Sequence, residues 1–508
     1  MRVEPTPPTV IQRLFAPIDI GLIVVFRVAF GGCMLIEVCR YFAKGWIDIQ
    51  FVRPAYHFKY YGCEWVQVPP GHGMHVIFAL LGTCAVMMAI GFLYRIAAIG
   101  FAVLFTWIFL IDQTWYLNHF YLITLLGWVS TILPANRAWS VDAWLRPALR
   151  SRKVPAWSLY LLRFMIALPY FFGGIAKINP DWLTGVPMRL MMGDGARYPI
   201  LGQHFDVDSV VLFFAWAGML FDLLIVPALL WAPTRIPAYI SAVAFHASNA
   251  RMFKIGIFPL VMVAASMLFF PPEWLATASN ADTEQPAQPP PAHFRDLSLR
   301  NRLLLVVLGL FVTWQILMPF RHWLYPGDVS WNEEGHRFSW HMKLRTKTAT
   351  AAFRATDPDG HVLDTFTRPE QILHPRQREL LGERPDFVLQ LPPGSGSPRN
   401  SNNRKHRKHT SMRTCVPRST ARPCRPDRSQ RRYGGAYPHT PPQRLGRAAP
   451  RTALPLAQLR ERRAARAAPA AAVTAVIEQL AHRVSSDHPR ANFARYPTSD
   501  LRLPTSLF

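Results

Sequence analysis

Apolar residues in the first part of this chain are not spaced to cover one face of a helix or strand; they run together. Up to about Phe320 the sequence repeatedly offers windows of roughly 16 to 22 mostly apolar residues, the length that crosses a bilayer core. The pattern predicts nine spans: Ile20 to Cys39, His72 to Leu93, Ile96 to Ile111, Asn118 to Leu133, Ala156 to Ala176, Ser209 to Trp231, Ile236 to Asn249, Phe253 to Phe270 and Leu303 to Pro319. The third and seventh are short. The tight connections at Tyr94–Arg95 and Pro233–Arg235 predict antiparallel hairpins. The first run carries Arg27 and Glu37 and has no small-residue cleavage site, so it reads as a span and not a signal peptide.

After Phe320 the pattern changes to that of a soluble module. "TAAFRATDPDGHVLDTF" reads as two short strands around Asp357 to Gly360, where Pro358 presets φ and Gly360 supplies a positive φ. The expected fold is therefore a membrane all-α bundle of eight to nine transmembrane helices followed by a small extracytoplasmic β-rich module. The expected divisions are residues 1–19 (cytoplasmic segment), 20–320 (polytopic domain), 321–392 (module) and 393–508 (tail).

Charge alters the picture less than its total suggests. Of the net +25, the segment from Pro393 onward holds 23 Lys plus Arg against 5 Asp plus Glu, a balance of +18. This Arg/Pro/Ala-rich tail has little apolar periodicity, which predicts disorder or a reading frame shifted from the coding one. A nucleic-acid partner is not expected; the partners expected of the bundle are membrane lipids. The Lys/Arg bias of the short loops favours a cytoplasmic N-terminus, with the module on the outer side. In a bacterium that would be the plasma (inner) membrane. The six cysteines fall in no metal-ligand spacing and imply no metal site.

Ionisable groups inside spans are costly and mark candidate sites. Three clusters stand out: "DQTWYLNHFYL", in which Asn118 and His119 open the fourth span; "GGIAKINPDW", with Lys177 at the end of the fifth; and "AFHASNARMFKIG", where His246 and Asn249 share a helical face. An alternating topology puts all three at the outer membrane face and at one depth. Taken alone, Lys177 fits an interfacial anchor as well as a base, and each histidine fits a helix-linking role. Asp222, in mid-span, needs a buried donor, for which Arg27, Arg163 or a histidine are candidates. Burial disfavours the ammonium form of a lysine, so the group suits proton abstraction from a membrane-dissolved acid.

These residues carry a resemblance. "MMAIGFLYRIAAIGF", "IFLIDQTWYLNHFYLITLL", "ANRAWSVDAWL", "VPAWSLYLLRFMIALPYFFGGIAKINPDWLTGVPM", "FHASNARMFKIGIFPLVMVAASMLFFPPEWL" and "HRFSWHM" occur in the order found in the vitamin K-dependent gamma-glutamyl carboxylases, whose membrane part is called the horizontally transferred transmembrane domain. The resemblance spans roughly Ile20 to Gln390. It implies that Lys177 deprotonates vitamin K hydroquinone, which with O2 becomes the strong base that removes a γ-proton from protein-bound glutamate, before CO2 adds. It also implies catalytic roles for His119 and His246 and quinol placement by Asn118; Asn249 is taken as a further quinol-binding candidate. Ala176 stands where the family has a second lysine. Three functions follow as expectations: a carboxylase of a Glu-containing protein or peptide, a quinol epoxidase without carboxylation, and a non-enzymatic quinone or lipid binder.

Overall fold

A computed structural model describes residues 7–192, 202–205, 207–253, 255–278, 291–342, 344, 355–356, 362–364 and 373–390, all within a unit running Met1–Tyr433. The tail and the Asp357 to Gly360 turn lie outside the described residues. The chain enters through a short helix, α1 (Val10–Phe15), whose Thr9 caps it by accepting the Gln12 N–H. Strand β1 (Pro17–Asp19) then pairs antiparallel with the distant β2 (Lys153–Pro155).

All nine apolar runs are helical. They form α2 (Gly21–Ala43), α3 (Gly73–Ile90), α4 (Tyr94–Ile111), α5 (Asn118–Ile132), α7 (Trp157–Ala176), α10 (Asp208–Leu230), α11 (Arg235–Phe253), α12 (Phe258–Ser266) and α13 (Leu299–Leu317). Between them lie the short α6 (Val141–Leu145), α8 (Pro180–Leu183) and α9 (Val186–Met192). Six helices are long and apolar enough to cross a membrane: α2, α3, α4, α7, α10 and α13 with its 3-10 extension. Of the remaining three, α11 has the length, 19 residues, but not the apolarity, and the other two are short. Helix α5 has 15 residues and α12 only 9, about 14 Å at ~1.5 Å per residue, so each is carried by its neighbours in the bundle. The run expected to span from Phe253 to Phe270 is divided, because α11 continues to Phe253 and Gly256, at φ 65°, turns the chain before α12.

A single large core fills the bundle, built from α2 to α5, α7, α12 and part of α10. In a membrane, where helix association relies on close packing, small residues set the approach of the helices. Beyond the bundle, the described residues of the module hold α14 (Val329–Asn332), the antiparallel pair β3 (Ala355–Thr356) and β4 (Val362–Asp364), then α15 (Pro375–Glu383) and α16 (Pro385–Gln390). The strand pair falls where the sequence places it; the other regular elements described there are helices, joined by turns and loops.

Candidate active site

The stretch Gly173 to Trp182 builds a helix end around one lysine. Helix α7 stops at Lys177, whose N–H donates to the Gly174 carbonyl (3.0 Å), while the Ile178 N–H donates to that of Ile175 (2.9 Å). Asn179 secures both sides of the break: its Nδ2 donates to the Ala176 carbonyl (2.9 Å), and its Oδ1 accepts the Trp182 N–H (2.9 Å) that starts α8. Pro180 takes the first helical position, where no N–H is needed. The Trp182 indole N–H donates to the Ala215 carbonyl of α10 at 2.8 Å, pinning the ring where Lys177 Nζ stands 5.4 Å from its centroid.

Lys177 does not snorkel. It is 7% exposed, and Nζ donates to Asp222 Oδ2 at 2.5 Å and to the Gly173 carbonyl at 3.1 Å. Asp222 therefore finds its donor in the lysine itself, and not in Arg27, Arg163 or a histidine. Arg27 is spent on the carbonyls of Ala89, Ala135, Ala138 and Trp139, and Arg163 on those of Leu268 and Phe270. Asp222 lies fourteen residues into α10, about 21 Å along the helix. The pair is thus held well below the start of α10, whose first turns are covered by α8 and α9 through Trp182, Met188 and Met192. Lys177, at the end of α7, thus sits beneath this segment.

Four and seven residues before Lys177, on the same face of α7, lie Gly173 and Tyr170. The Tyr170 hydroxyl and His246 Nε2 are 2.6 Å apart. His246 is 2% exposed, and whichever of the two donates, its Nδ1 is left without a partner among the described residues. The Phe221 and Phe258 rings stand nearly perpendicular to that of His246, and Phe258 also stacks on His119 at 5.4 Å. His246 and His119 are therefore linked through Phe258, and Tyr170 ties His246 to the helix that carries Lys177. Asn249 sits one turn beyond His246 on α11, half-buried, its side chain making no hydrogen bond among the described residues.

The module closes the arrangement from the other side. A Cβ on Gly173 would lie 2.9 Å from Met342 Cε, 3.5 Å from Asp222 Oδ2 and 3.9 Å from Lys177 Nζ, so only glycine leaves room for Met342 against the pair. That methionine is held by the segment before it. The Tyr116 hydroxyl accepts the Phe338 N–H (2.6 Å) and donates to Asn118 Oδ1 (2.9 Å), and Asn118 Nδ2 donates to the His341 carbonyl (3.0 Å). Burial pushes the Tyr116 phenol well up, with the Phe338 N–H opposing it, so the hydroxyl keeps its proton for Asn118. Trp340 is buried against the Tyr121 ring at 5.2 Å. Asn118 thus spends both ends of its amide on protein partners. Tyr170, Gly173 and Met342 are site residues that the polar pattern alone did not single out; their signal is the helical spacing from Lys177 and the "HRFSWHM" motif.

A chain of this build, apolar helices enclosing a buried lysine–carboxylate pair that an extramembrane segment seals, is a multi-pass membrane protein, and residues 15–274, just over half of the chain, match the family model "HTTM domain". Residues 300–394 match "Vitamin K-dependent gamma-carboxylase, lumenal domain". With both domains present in this order, the chain belongs to the vitamin K-dependent gamma-carboxylase family. No solved structure matches it.

Proposed function

We propose that this protein is a vitamin K-dependent carboxylase in which Lys177 takes the proton of a reduced quinone, coupling quinone epoxidation to γ-carboxylation of a protein glutamate. The observation that carries the reading is the closure of the lysine pair by the module: Met342, from the lumenal-domain match, packs over Gly173 beside Asp222 and Lys177. The residues present fit a quinol. An unpaired ring nitrogen on His246 is available to a hydroxyl group, and Phe221 and Phe258 offer aromatic edges to a flat ring. When bound, the reduced quinone with O2 supplies the strong base that makes glutamate accept CO2.

The chain's own part is proton handling and exclusion of water. Lys177 Nζ donates to Asp222 Oδ2 in a pair that is neutral overall, and passing that proton to the carboxylate frees Nζ to act as a base. A proton accepted at Nζ leaves the pair with one positive charge, which complements negative charge developing beside it. Tyr170 fixes the His246 ring so that Nδ1 points away from the hydroxyl and serves as the second contact. His119, stacked on Phe258, is assigned to handling the glutamate carbanion or CO2, and Asn249 to placing the quinol. Asn118 acts through the segment it holds, positioning His341 and Met342. The N-terminus is assigned to the cytoplasm, with the site and module on the outer side, from the Lys/Arg bias of the loops.

Purified protein given reduced vitamin K, O2, labelled CO2 and a Glu-rich peptide tests this directly. Epoxide together with fixed label is the expected result. Epoxide without label would leave a quinol epoxidase, and neither product would leave a binder. Lys177→Ala should abolish epoxide formation at near-normal abundance; unchanged epoxide would remove Lys177 from the mechanism. His119→Ala should lower carboxylation with little change in expression, and a collapse of expression would make its role structural.

A further inference from the structure

The chain between α2 and α3 meets the turn between α4 and α5 at an ion pair that the proposed chemistry does not use. His57 Nδ1 stands 3.0 Å from Asp112 Oδ2, with the histidine side chain 11% exposed and the aspartate side chain fully buried. Among the described residues no other Lys, Arg or His comes within ion-pair distance of this carboxylate. The nearby cations are spent on carbonyls: Lys59 Nζ on those of Val66 (2.6 Å) and Ile111 (3.0 Å), and Arg376 Nε on that of Thr114 (3.1 Å).

The hydrogen-bond partners place the protons. His57 Nε2 lies 3.1 Å from the Phe51 carbonyl, which only accepts, so Nε2 carries a hydrogen. Phe51 sits near the end of a π-helical turn, Asp48–Val52, where carbonyls lack partners within the helix. On the other side of the ring, Asp112 is an acceptor throughout. Its Oδ1 takes the Thr114 N–H (2.8 Å) and hydroxyl (2.7 Å), and its Oδ2 takes Gln377 Nε2 (2.8 Å). The Gln377 amide has one orientation, because Nε2 also donates to the Tyr56 carbonyl (2.8 Å) and Oε1 accepts the His374 N–H (2.9 Å). His57 Nδ1 therefore donates too, and the ring carries both protons as a cation against the carboxylate.

What this pair holds bears on the active site. Asp112 caps the turn Gln113–Trp115, which is zipped to the loop after His57: the Gln113 N–H donates to the Phe58 carbonyl (2.7 Å) and Gln113 Nε2 to that of Lys59 (2.5 Å). Next comes Tyr116, whose hydroxyl joins Phe338 to Asn118, and then α5 opens with Asn118 and His119. Through Gln377 the same carboxylate also reaches α15 of the module. Without its cation, the buried carboxylate keeps only neutral donors, an arrangement that drives it toward water and takes the turn with it.

We infer that His57 is a positioning residue for the reaction: as an imidazolium between the Phe51 carbonyl and Asp112, it holds the 112–118 turn, and with it Asn118 and His119, in the working register. It acts through Asp112 and not on the reacting atoms. The inference rests on the carboxylase reading for its activity readout alone.

Full-length protein with isotope-labelled histidine ring nitrogens is studied by NMR in detergent under assay conditions, the His57 and His119 signals being assigned by their loss in His57→Gln and His119→Ala. Wild-type His57 should show two protonated ring nitrogens. Asp112→Asn, which keeps the shape and removes the charge, should convert it to one protonated and one bare nitrogen. His57→Gln puts one nitrogen in place of two; it should shift the His119 signals and lower kcat for epoxide formation roughly tenfold, with KM for the quinol little changed. The two substitutions together should be no worse than the poorer of them alone, since the residues act as one unit. Asp112→Asn carries the same His119 and kcat readouts if His57→Gln fails to fold. A bare nitrogen on wild-type His57 overturns the assignment, and unmoved His119 signals in the folded variants, or losses that multiply in the double variant, overturn the positioning role. Absence of epoxide from the wild type would fail the carboxylase reading and leave the ring signals to decide the role of His57.

Discussion

At the scale of single residues, Lys177 and Asp222 are one unit. Each is buried, and each ion alone would cost several kcal/mol to hold out of water; the 2.5 Å contact offsets that cost. Removing one partner strands the other. Asp222→Ala should therefore destabilise the protein by about 3–5 kcal/mol, read as a lowered thermal transition in detergent. Lys177→Met/Asp222→Leu removes both charges and should recover most of that loss while remaining inactive in quinol epoxidation. Recovery of stability without activity is the signature of a charge pair retained for chemistry. A double variant no more stable than Asp222→Ala would show that the pair's role in the fold goes beyond charge balance.

At the scale of elements, the two glycines of α7 do different things, and substitution separates them. A Cβ on Gly174 would lie 2.7 Å from Leu223 Cγ and Cδ2 and 3.1 Å from the Leu223 nitrogen, so backbone must move and α7 must part from α10. Gly174→Ala should cost about 1–3 kcal/mol and lower abundance. A Cβ on Gly173 meets only the flexible end of Met342 at under 3 Å, so Gly173→Ala should fold normally and lower epoxide formation by displacing that methionine from the lysine pair. Full activity in Gly173→Ala would detach Met342 from the site.

The same helices show what the sequence made legible. Runs of apolar residues located all nine helices, because in lipid every backbone group must be satisfied within the segment and helix is the available solution. Lys177, His119 and His246 were visible because a polar residue in an apolar run is conspicuous. The partner of Asp222 was not, since 45 residues separate it from Lys177 and its choice depends on how α7 packs against α10. Nor was the roof over the pair: α8 and α9 are only 4 and 7 residues long, too short for periodicity to announce them.

At the scale of the whole molecule, the bundle and module are joined where the chain's last described helices meet the loop after α2. Phe58 and Phe387 are both fully buried, their rings 4.6 Å apart, within a small core that includes Leu373, Leu380 and Leu381. Polar contacts surround it. Gln377 Nε2 donates to the Tyr56 carbonyl (2.8 Å) and to Asp112 Oδ2 (2.8 Å), and the Tyr56 hydroxyl donates to the Gln390 carbonyl (2.5 Å). Arg376 Nε donates to the Thr114 carbonyl at 3.1 Å, two residues from Tyr116, the hydroxyl that holds Phe338 and Asn118. Docking of α15 and α16 therefore bears on the same 112–118 turn that positions Met342.

Gln390 is held at this joint, accepting the Tyr56 hydroxyl at its carbonyl (2.5 Å) and the Lys59 N–H at its side chain (2.9 Å), so the chain through Gln390 belongs to it. A stop codon after Pro392 should leave abundance and epoxide formation near those of the full chain. A stop after Leu344 removes α15 and α16, exposes Phe58 and frees the 112–118 turn, and should abolish epoxide formation even where membrane insertion survives. Phe387→Ala tests the same joint without truncation. It should cost about 3–5 kcal/mol locally and show as faster proteolytic cleavage near residues 373–390, with epoxide formation lowered in step. Epoxide formation that persists after the Leu344 stop would show that the membrane domain holds its lysine pair unaided, and that the docked helices serve only the glutamate substrate.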